Sequence, residues 1–301
     1  MSGDEDRQSE LAREHRERQS KRAAEDSAKG KRNVLVGAGV AIVLVAGGVV
    51  AATTLLGDEE PDTTKAAATS SPSPSASQSA ALPSASPTRT GPVSCSYTKD
   101  TQDVPQKFVG FPPKRPDRQT LRIKTMTLVT NHGDIVIEVD PKATPCTVNS
   151  MNHLAKKNFY DNTRCHRLVT PETAGLFLLQ CGDPLAKADG KNPTDGTGTS
   201  GYVFPDEAAG TVAYSKGVVF LTQPTDAEGR NSSQFAISLS DQNTQLDPVY
   251  SLLGVAKSGI DTLVKVAENG VIENKDDITG DGGSTAPKTP VVIKDVKLST
   301  K

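Results

Sequence analysis

Few residues in this chain could carry reactive chemistry. Beyond residue 57 the only histidines are His132, His153 and His166, and no nucleophile-and-base constellation stands out. The stretch Gly196-Thr197-Gly198-Thr199-Ser200-Gly201 has the glycines of a phosphate cradle, but no Lys follows and no helix is predicted there, so a surface loop is expected. Chemistry that needs activated water or a covalent intermediate is therefore poorly supported. One segment is more informative. Tyr160-Asp161-Asn162-Thr163-Arg164-Cys165-His166-Arg167-Leu168-Val169 is followed by Phe177-Leu178-Leu179-Gln180-Cys181-Gly182-Asp183-Pro184. Arg167 lies in an otherwise apolar strand, and Gln180 lies in the strand that follows. Strand side chains alternate, so Phe177 and Gln180 share a face only if the strand begins after Phe177. By pattern alone, an edge strand with Arg and Gln turned to water fits as well.

The four cysteines, Cys95, Cys146, Cys165 and Cys181, all lie beyond residue 92. An even count in an exported region predicts two disulfides, and four cysteines allow three pairings. Cys165 and Cys181 flank a predicted hairpin; pairing Cys95 with Cys146 would then pin the segment before the domain to its first helix. Without any Cys-x-x-Cys and with few histidines, the spacing argues against a metal site.

The elements that must position these residues occupy only part of the chain. All 7 Phe and 5 Tyr lie at or after Tyr97, although the whole sequence is 35% hydrophobic and 4% aromatic. Residues 1–33 are polar; the first 32 hold nine Lys and Arg against eight Asp and Glu, and read as a cytoplasmic tail. Residues 34–56 contain only Val, Ala, Gly, Leu, Ile and two Thr, long enough to span a bilayer. Lys21, Arg22, Lys29, Lys31 and Arg32 precede them and Asp58, Glu59, Glu60 and Asp62 follow, which keeps the N-terminus cytoplasmic and exports the rest. The length of the charged leader favours an uncleaved transmembrane anchor over a cleaved signal peptide. Residues 57–92, rich in Ser, Pro, Ala and Thr, read as a disordered tether, and residues 93–120 as an irregular lead-in. The net charge of −2 gives no reason to expect nucleic acid as a partner.

Residues 121–301 form one mixed domain with many strands and few helices. Leu121, Ile123, Thr125, Thr127 and Val129 are expected on one side of a first strand. Asn131-His132-Gly133-Asp134 turns the chain, and residues 135–139 return as the second strand. Thr144-Pro145 predicts an N-cap with proline at the first helical position. A second helix fits residues 258–269, with Ile260, Leu263, Val264 and Ala267 on one face and Gly270 as its stop. The domain closes with a strand over residues 291–298.

Several motifs, in order and at near-family spacing, resemble the cyclophilin family of peptidyl-prolyl cis-trans isomerases. They are His166-Arg167 after Phe159-Tyr160-Asp161; Phe177-x-x-Gln180-x-Gly182-Asp183; Asn231-Ser232-Ser233-Gln234-Phe235; and Leu246-Asp247 with Gly254 downstream. The resemblance covers roughly residues 123–300, and the anchor, tether and cysteines look like exported actinobacterial members. It implies a mainly β fold: a closed eight-stranded antiparallel barrel with two capping helices and the active site as a groove on its outer surface. It implies a monomer that acts on proline-containing polypeptides, with no cofactor and no metal; the lipid bilayer is a partner through residues 34–56.

Arg167 matches the family's catalytic arginine and Gln180 the side chain that holds the peptide backbone. Phe177 and Leu246 match walls of the proline pocket, and Gln234 lies in the strand lining the same groove. His166, next to Arg167, should point away and be structural. Several positions depart from the family pattern. Ala236 stands where a second Phe commonly follows Gln-Phe, Thr222-Gln223 in place of Ala-Asn, Gln245 in place of Trp and Tyr250 in place of His, and the loop from Leu168 to Leu176 is several residues longer than usual. A catalytically weak peptide-binding module or chaperone is the alternative that Ala236 raises.

Overall fold

The computed structural model describes residues 92–223, 229–272 and 285–301. The expected tail, the expected anchor and nearly all of the expected tether lie outside the described residues. Among the described residues no helix is long and apolar enough to cross a membrane.

The elements in chain order are β1 (Thr98–Lys99), a 3-10 turn (Thr120–Arg122), β2 (Thr125–Thr130), β3 (Gly133–Glu138), helix α1 (Pro145–Lys156), β4 (Thr163–Arg164), β5 (Arg167–Val169), the single helical turn α2 (Pro171–Ala174), β6 (Leu178–Cys181), β7 (Tyr202–Val203), β8 (Val218–Leu221), β9 (Phe235–Ser238), a second 3-10 turn (Asp241–Gln245), β10 (Leu252–Ser258), helix α3 (Ile260–Ala267), β11 (Val271–Ile272), β12 (Ala286–Pro287) and β13 (Val292–Ser299). Nine of the strands build one curled antiparallel sheet in the order β4-β13-β2-β3-β10-β8-β9-β6-β5.

This corrects the expected closed eight-stranded barrel. The ladder has nine strands, and its two ends, β4 and β5, do not pair with each other. They are instead successive in the chain, separated by Cys165 and His166 alone. The Cys165 N–H donates to the Val291 carbonyl at one edge, and the His166 N–H to the Gln180 carbonyl at the other. One backbone segment thus serves both edges and leaves no second strand to complete the ladder.

The β2–β3 hairpin turns where Asn-His-Gly was expected to turn it, with Gly133 at φ +107°. Thr125, Thr127 and Val129 share one face as expected, and it is the outer one. Met126, Leu128 and Thr130 are buried, while Thr125, Thr127 and Val129 are half-exposed. Met126 and Leu128 stand opposite Ile137 and Ile135, so this apolar pair of residues turns inward and the hydroxyls of Thr125 and Thr127 stay near water.

Helix α1 carries Pro145 at its start, but the Thr144 side chain makes no cap; its hydroxyl donates to the Asp140 carbonyl. The cap comes from Glu207, whose Oε2 accepts from the Thr147 N–H at 2.8 Å. A carboxylate at a helix N-terminus also suits the macrodipole. Helix α3 buries Ile260, Leu263, Val266 and Ala267, and Val264 packs partly buried against the same core, so the inner face includes Val266 as well as the expected residues.

The lead-in belongs to the fold. Cys95 and Tyr97 lie in the main core, and Cys95 is bridged to Cys146 of α1 across 5.4 Å between Cα atoms. The Tyr97 hydroxyl donates to the Cys146 carbonyl at 2.8 Å and accepts from Asn149. Arg230 pairs with the buried Asp100 carboxylate at 2.6 Å. These ties explain why a polar, proline-rich segment stays ordered against the sheet.

Strands β8 and β9 are buried on both faces. Val219, Leu221, Phe235 and Ile237 enter the interior core. Their neighbours Val218, Phe220 and Ala236 join a second cluster with Val169, Leu178, Tyr214, Leu252 and Val255. A strand covered on both sides reads as a continuous apolar run, as Val218–Leu221 does. The candidate site lies on the face of this second cluster.

Candidate active site

The order β5-β6-β9-β8 sets four residues in one cross-strand row. Arg167 is opposite Gln180, Gln180 opposite Ala236, and Ala236 opposite Phe220. Directly opposed residues in antiparallel strands share a face, so this row is contiguous. One side of it is apolar, with Val169 opposite Leu178. The other is polar, with Thr222 and Gln234 joined by the Thr222 N–H to Gln234 carbonyl bond.

The polar side chains form a single directed network. Arg167 Nη1 donates to Gln180 Oε1 at 3.1 Å. Gln180 Nε2 donates to Thr222 Oγ1 at 3.2 Å and to Gln234 Oε1 at 3.1 Å. Gln234 Nε2 donates in turn to the carbonyls of Gly196 and Gly198, at 2.8 and 2.9 Å. The glycine loop is therefore more than the surface loop expected: its carbonyls decide which way the Gln234 amide faces. Asp183 holds that loop by accepting from the Gly196 and Gly198 N–H groups at 2.8 and 3.0 Å. A Cβ at Gly198 would collide with the Asp183 carboxylate, so this approach requires glycine. Burial raises the Asp183 carboxyl above the usual range, against the pull of its backbone donors.

The bridge Cys165–Cys181 sits beside the row, with Cα atoms 4.0 Å apart. It ties the residue two before Arg167 to the residue immediately after Gln180. His166 is buried among these elements rather than presented with Arg167.

Leu246 and Tyr250 both pack, half-buried, against the second cluster. Phe177 does not join them. It precedes β6, which begins at Leu178, and packs half-buried against the interior core. Asn243 nonetheless couples Phe177 to Leu246. Its Oδ1 accepts from the Phe177 N–H and its Nδ2 donates to the Phe177 carbonyl, both at 2.8 Å; its own carbonyl accepts from the Leu246 N–H. Asn243, Asp183 and the glycine loop escaped sequence reasoning because their work is done on backbone groups far away in the chain.

Ala236 is not an open gap. It is 2% exposed, and the ring opposite it, Phe220, is also 2% exposed. Phe220 stacks on Tyr214 at 4.1 Å and lies nearly parallel to Tyr250 at 5.6 Å. The Tyr214 hydroxyl accepts from the Tyr250 N–H at 2.7 Å, which fastens the two tyrosines together. Burial raises the Tyr250 phenol, and the Arg167 charge acts against that rise.

Row, network and bridge can hold an extended peptide by hydrogen bonds and present a guanidinium to it. They contain no nucleophile, and among the described residues no cluster of His, Cys, Asp and Glu could hold a metal ion. The profile of the cyclophilin type peptidyl-prolyl cis-trans isomerases matches residues 125–298. A peptidyl-prolyl cis-trans isomerase B of Mycobacterium leprae is 31% identical over 234 residues, covering 72% of this chain and 70% of its own. Its namesake in Mycobacterium tuberculosis is 34% identical over 185 residues, 58% of this chain and 54% of that protein, so the chain spans about half of that relative's length. A Cryptosporidium parvum cyclophilin crystal structure superposes with a TM-score of 0.48 at 22% identity, over 60% of this chain and 99% of that one. The chain belongs to the cyclophilin-type peptidyl-prolyl cis-trans isomerase family, a family of enzymes.

Proposed function

We propose that this chain isomerises Xaa–Pro bonds of exported polypeptides on the outer side of a membrane, with Arg167 as its catalytic residue and Gln180 as the residue that positions it. The observation that carries the reading is the Arg167–Gln180 pair, fixed by strand register and by an amide network that ends on the Gly196 and Gly198 carbonyls. Rotation about a peptide bond crosses about 18–20 kcal/mol because amide resonance must be broken. No bond to the substrate is made. A guanidinium aimed at the prolyl amide favours the twisted state, in which the nitrogen regains its lone pair, over the planar ground state. Gln234, Thr222 and Gln180 offer the peptide backbone its hydrogen bonds, and Leu246 and Tyr250 wall the apolar end.

Residues 34–56 act as the anchor, with the preceding basic residues inside and the Ser/Pro tether outside. Two buried disulfides suit an oxidising compartment and support that orientation. The test is isomerisation of a proline tetrapeptide by the full chain, with and without Arg167→Ala. Removing a placed donor of this kind costs about 100-fold or more in rate. A rate untouched by the substitution rejects the mechanism. Peptide binding without turnover would favour the peptide-binding module, the alternative that Ala236 raises.

A further inference from the structure

We propose that the face around Phe108 and Phe111 docks the folded domain on an anionic bilayer surface. This rests on the reading that residues 34–56 hold the chain to a membrane, and adds a second contact made by the domain itself. Among the described residues the exposed large hydrophobic side chains are Phe108, Phe111, Leu185 and Val249, with Phe108 53% and Phe111 47% exposed. The two phenylalanines meet edge to face, with ring centroids 5.0 Å apart. The fold holds them out. Phe111 leans on Tyr202 at 6.0 Å, and Phe108 lies over Gly201, where a Cβ would meet its ring at 3.1 Å. Between them Gly110 turns the chain at φ +96°, and its carbonyl is bonded to His153 of α1 at 2.9 Å. Asn149 of α1 holds the Pro113 carbonyl in the same way at 2.8 Å. An aromatic pair kept in water by the fold, rather than folded under it, marks a contact surface.

Charge and chain path identify the occupant. From Lys107 to Lys124 the sequence holds six Lys and Arg and one acidic residue, in a chain whose net charge is −2. Lys114, Arg115 and Arg118 are exposed, as are Lys156 and Lys157 at the end of α1. The lone acid, Asp117, spends its carboxylate on the Thr120 N–H at 2.6 Å. Exposed rings among exposed cations suit a headgroup layer, the rings entering its apolar boundary and the cations meeting anionic lipid. The point where the chain enters the fold favours a bilayer over a protein partner. The Cys95 N–H donates to the Lys114 carbonyl at 2.7 Å, and Cys95 is bridged to α1, so the tether joins the domain beside Lys114 and Arg115. On the tether reading, residues 57–92 average roughly 30 Å end to end. The face beside the entry point is therefore the one delivered to the membrane, at an effective concentration that lets a weak patch dock.

The chain has no Trp, so Phe108→Trp installs a single reporter on this face. The full-length variant is mixed into vesicles of phosphatidylcholine alone or of phosphatidylcholine with phosphatidylglycerol. Tryptophan emission and its quenching by acyl-brominated lipid are read, with resistance to an alkaline wash as the measure of insertion. With phosphatidylglycerol, emission is expected at shorter wavelength and quenching about threefold or more stronger than without it, and high salt is expected to remove most of the difference. Adding Lys114→Glu, Arg115→Glu and Arg118→Glu together is expected to abolish the extra quenching. The same variant should keep its kcat/KM on a soluble proline tetrapeptide, which checks its fold. Equal emission and quenching in the two kinds of vesicle overturn the inference. A shift that persists in phosphatidylcholine and fades as protein is diluted in lipid overturns it too, in favour of a second copy of this chain. A chain stripped from both vesicles by the wash, yet floating with phosphatidylglycerol vesicles before it, sinks the anchor reading alone. One that floats with neither sinks both.

Discussion

Replacing Gln180 with glutamate keeps the side chain's shape and reverses one of its polar ends. The Gln180 amide donates to Thr222 and to Gln234 Oε1. Glutamate leaves an acceptor facing an acceptor at Gln234. Thr222 adapts by turning its hydroxyl. Gln234 cannot, because its amide nitrogen already serves the Gly196 and Gly198 carbonyls, and flipping it would set oxygen against both. A buried acceptor left without a donor costs about 1–3 kcal/mol. The new pair with half-buried Arg167 returns at most about 1 kcal/mol at this exposure. The net loss is about 1–2 kcal/mol, or roughly 2–8 °C in melting temperature for a domain of this size. Catalysis falls further, because Arg167 is now held by a carboxylate that competes with the substrate. A restraint of up to about 1 kcal/mol lowers kcat/KM by up to roughly fivefold. Thermal melting and peptide isomerisation of Gln180→Glu measure the two effects separately. An unchanged melting temperature would show that the glycine carbonyls do not lock Gln234. An unchanged kcat/KM would show that the Arg167 guanidinium is not what acts on the substrate.

Further outcomes follow from the same geometry. Replacing Cys165 and Cys181 together by alanine opens a loop of sequence separation 16, worth about 3 kcal/mol in chain entropy, and should lower the melting temperature and kcat/KM together; a full-rate variant would show that the bridge does not position Arg167. Asn243→Ala deprives the Phe177 N–H of its acceptor, a loss of about 1–3 kcal/mol, and should raise KM more than it lowers kcat, which steady-state kinetics will read. His153, which bonds the Gly110 carbonyl, has its pKa lowered chiefly by burial. Its unfolded form then protonates first as pH falls, so this contribution is complete above about 6.5 and declines below it. Melting temperatures between pH 8 and 5 should show that decline, and His153→Gln should flatten it.

Much of this protein is readable along the chain. The absence of aromatics before Tyr97 separates a segment that cannot build a core from one that can. Turn chemistry at Asn131-His132-Gly133, the proline opening α1 and Gly270 after α3 mark element boundaries because each acts on its own backbone. Arg167 and Gln180 stand out by type, as a charge and an amide in strands otherwise apolar. Alternation, however, defines two faces of a strand and not which one is inside. β2 turned its Met126–Leu128 face inward because Ile135 and Ile137 met it there.

Contacts between distant segments were decided only by the tertiary structure. Glu207 caps a helix 60 residues earlier. Gly196 and Gly198 orient Gln234, and two residues at the seam serve both edges of the sheet. Ala236 shows the limit most clearly. Read along the chain it is a lost aromatic ring; across the sheet it faces Phe220. Sequence motifs record which residue occupies a position, whereas the volume at a site is filled by whichever neighbouring strand reaches it, and only the pairing of β8 with β9 brings that ring there.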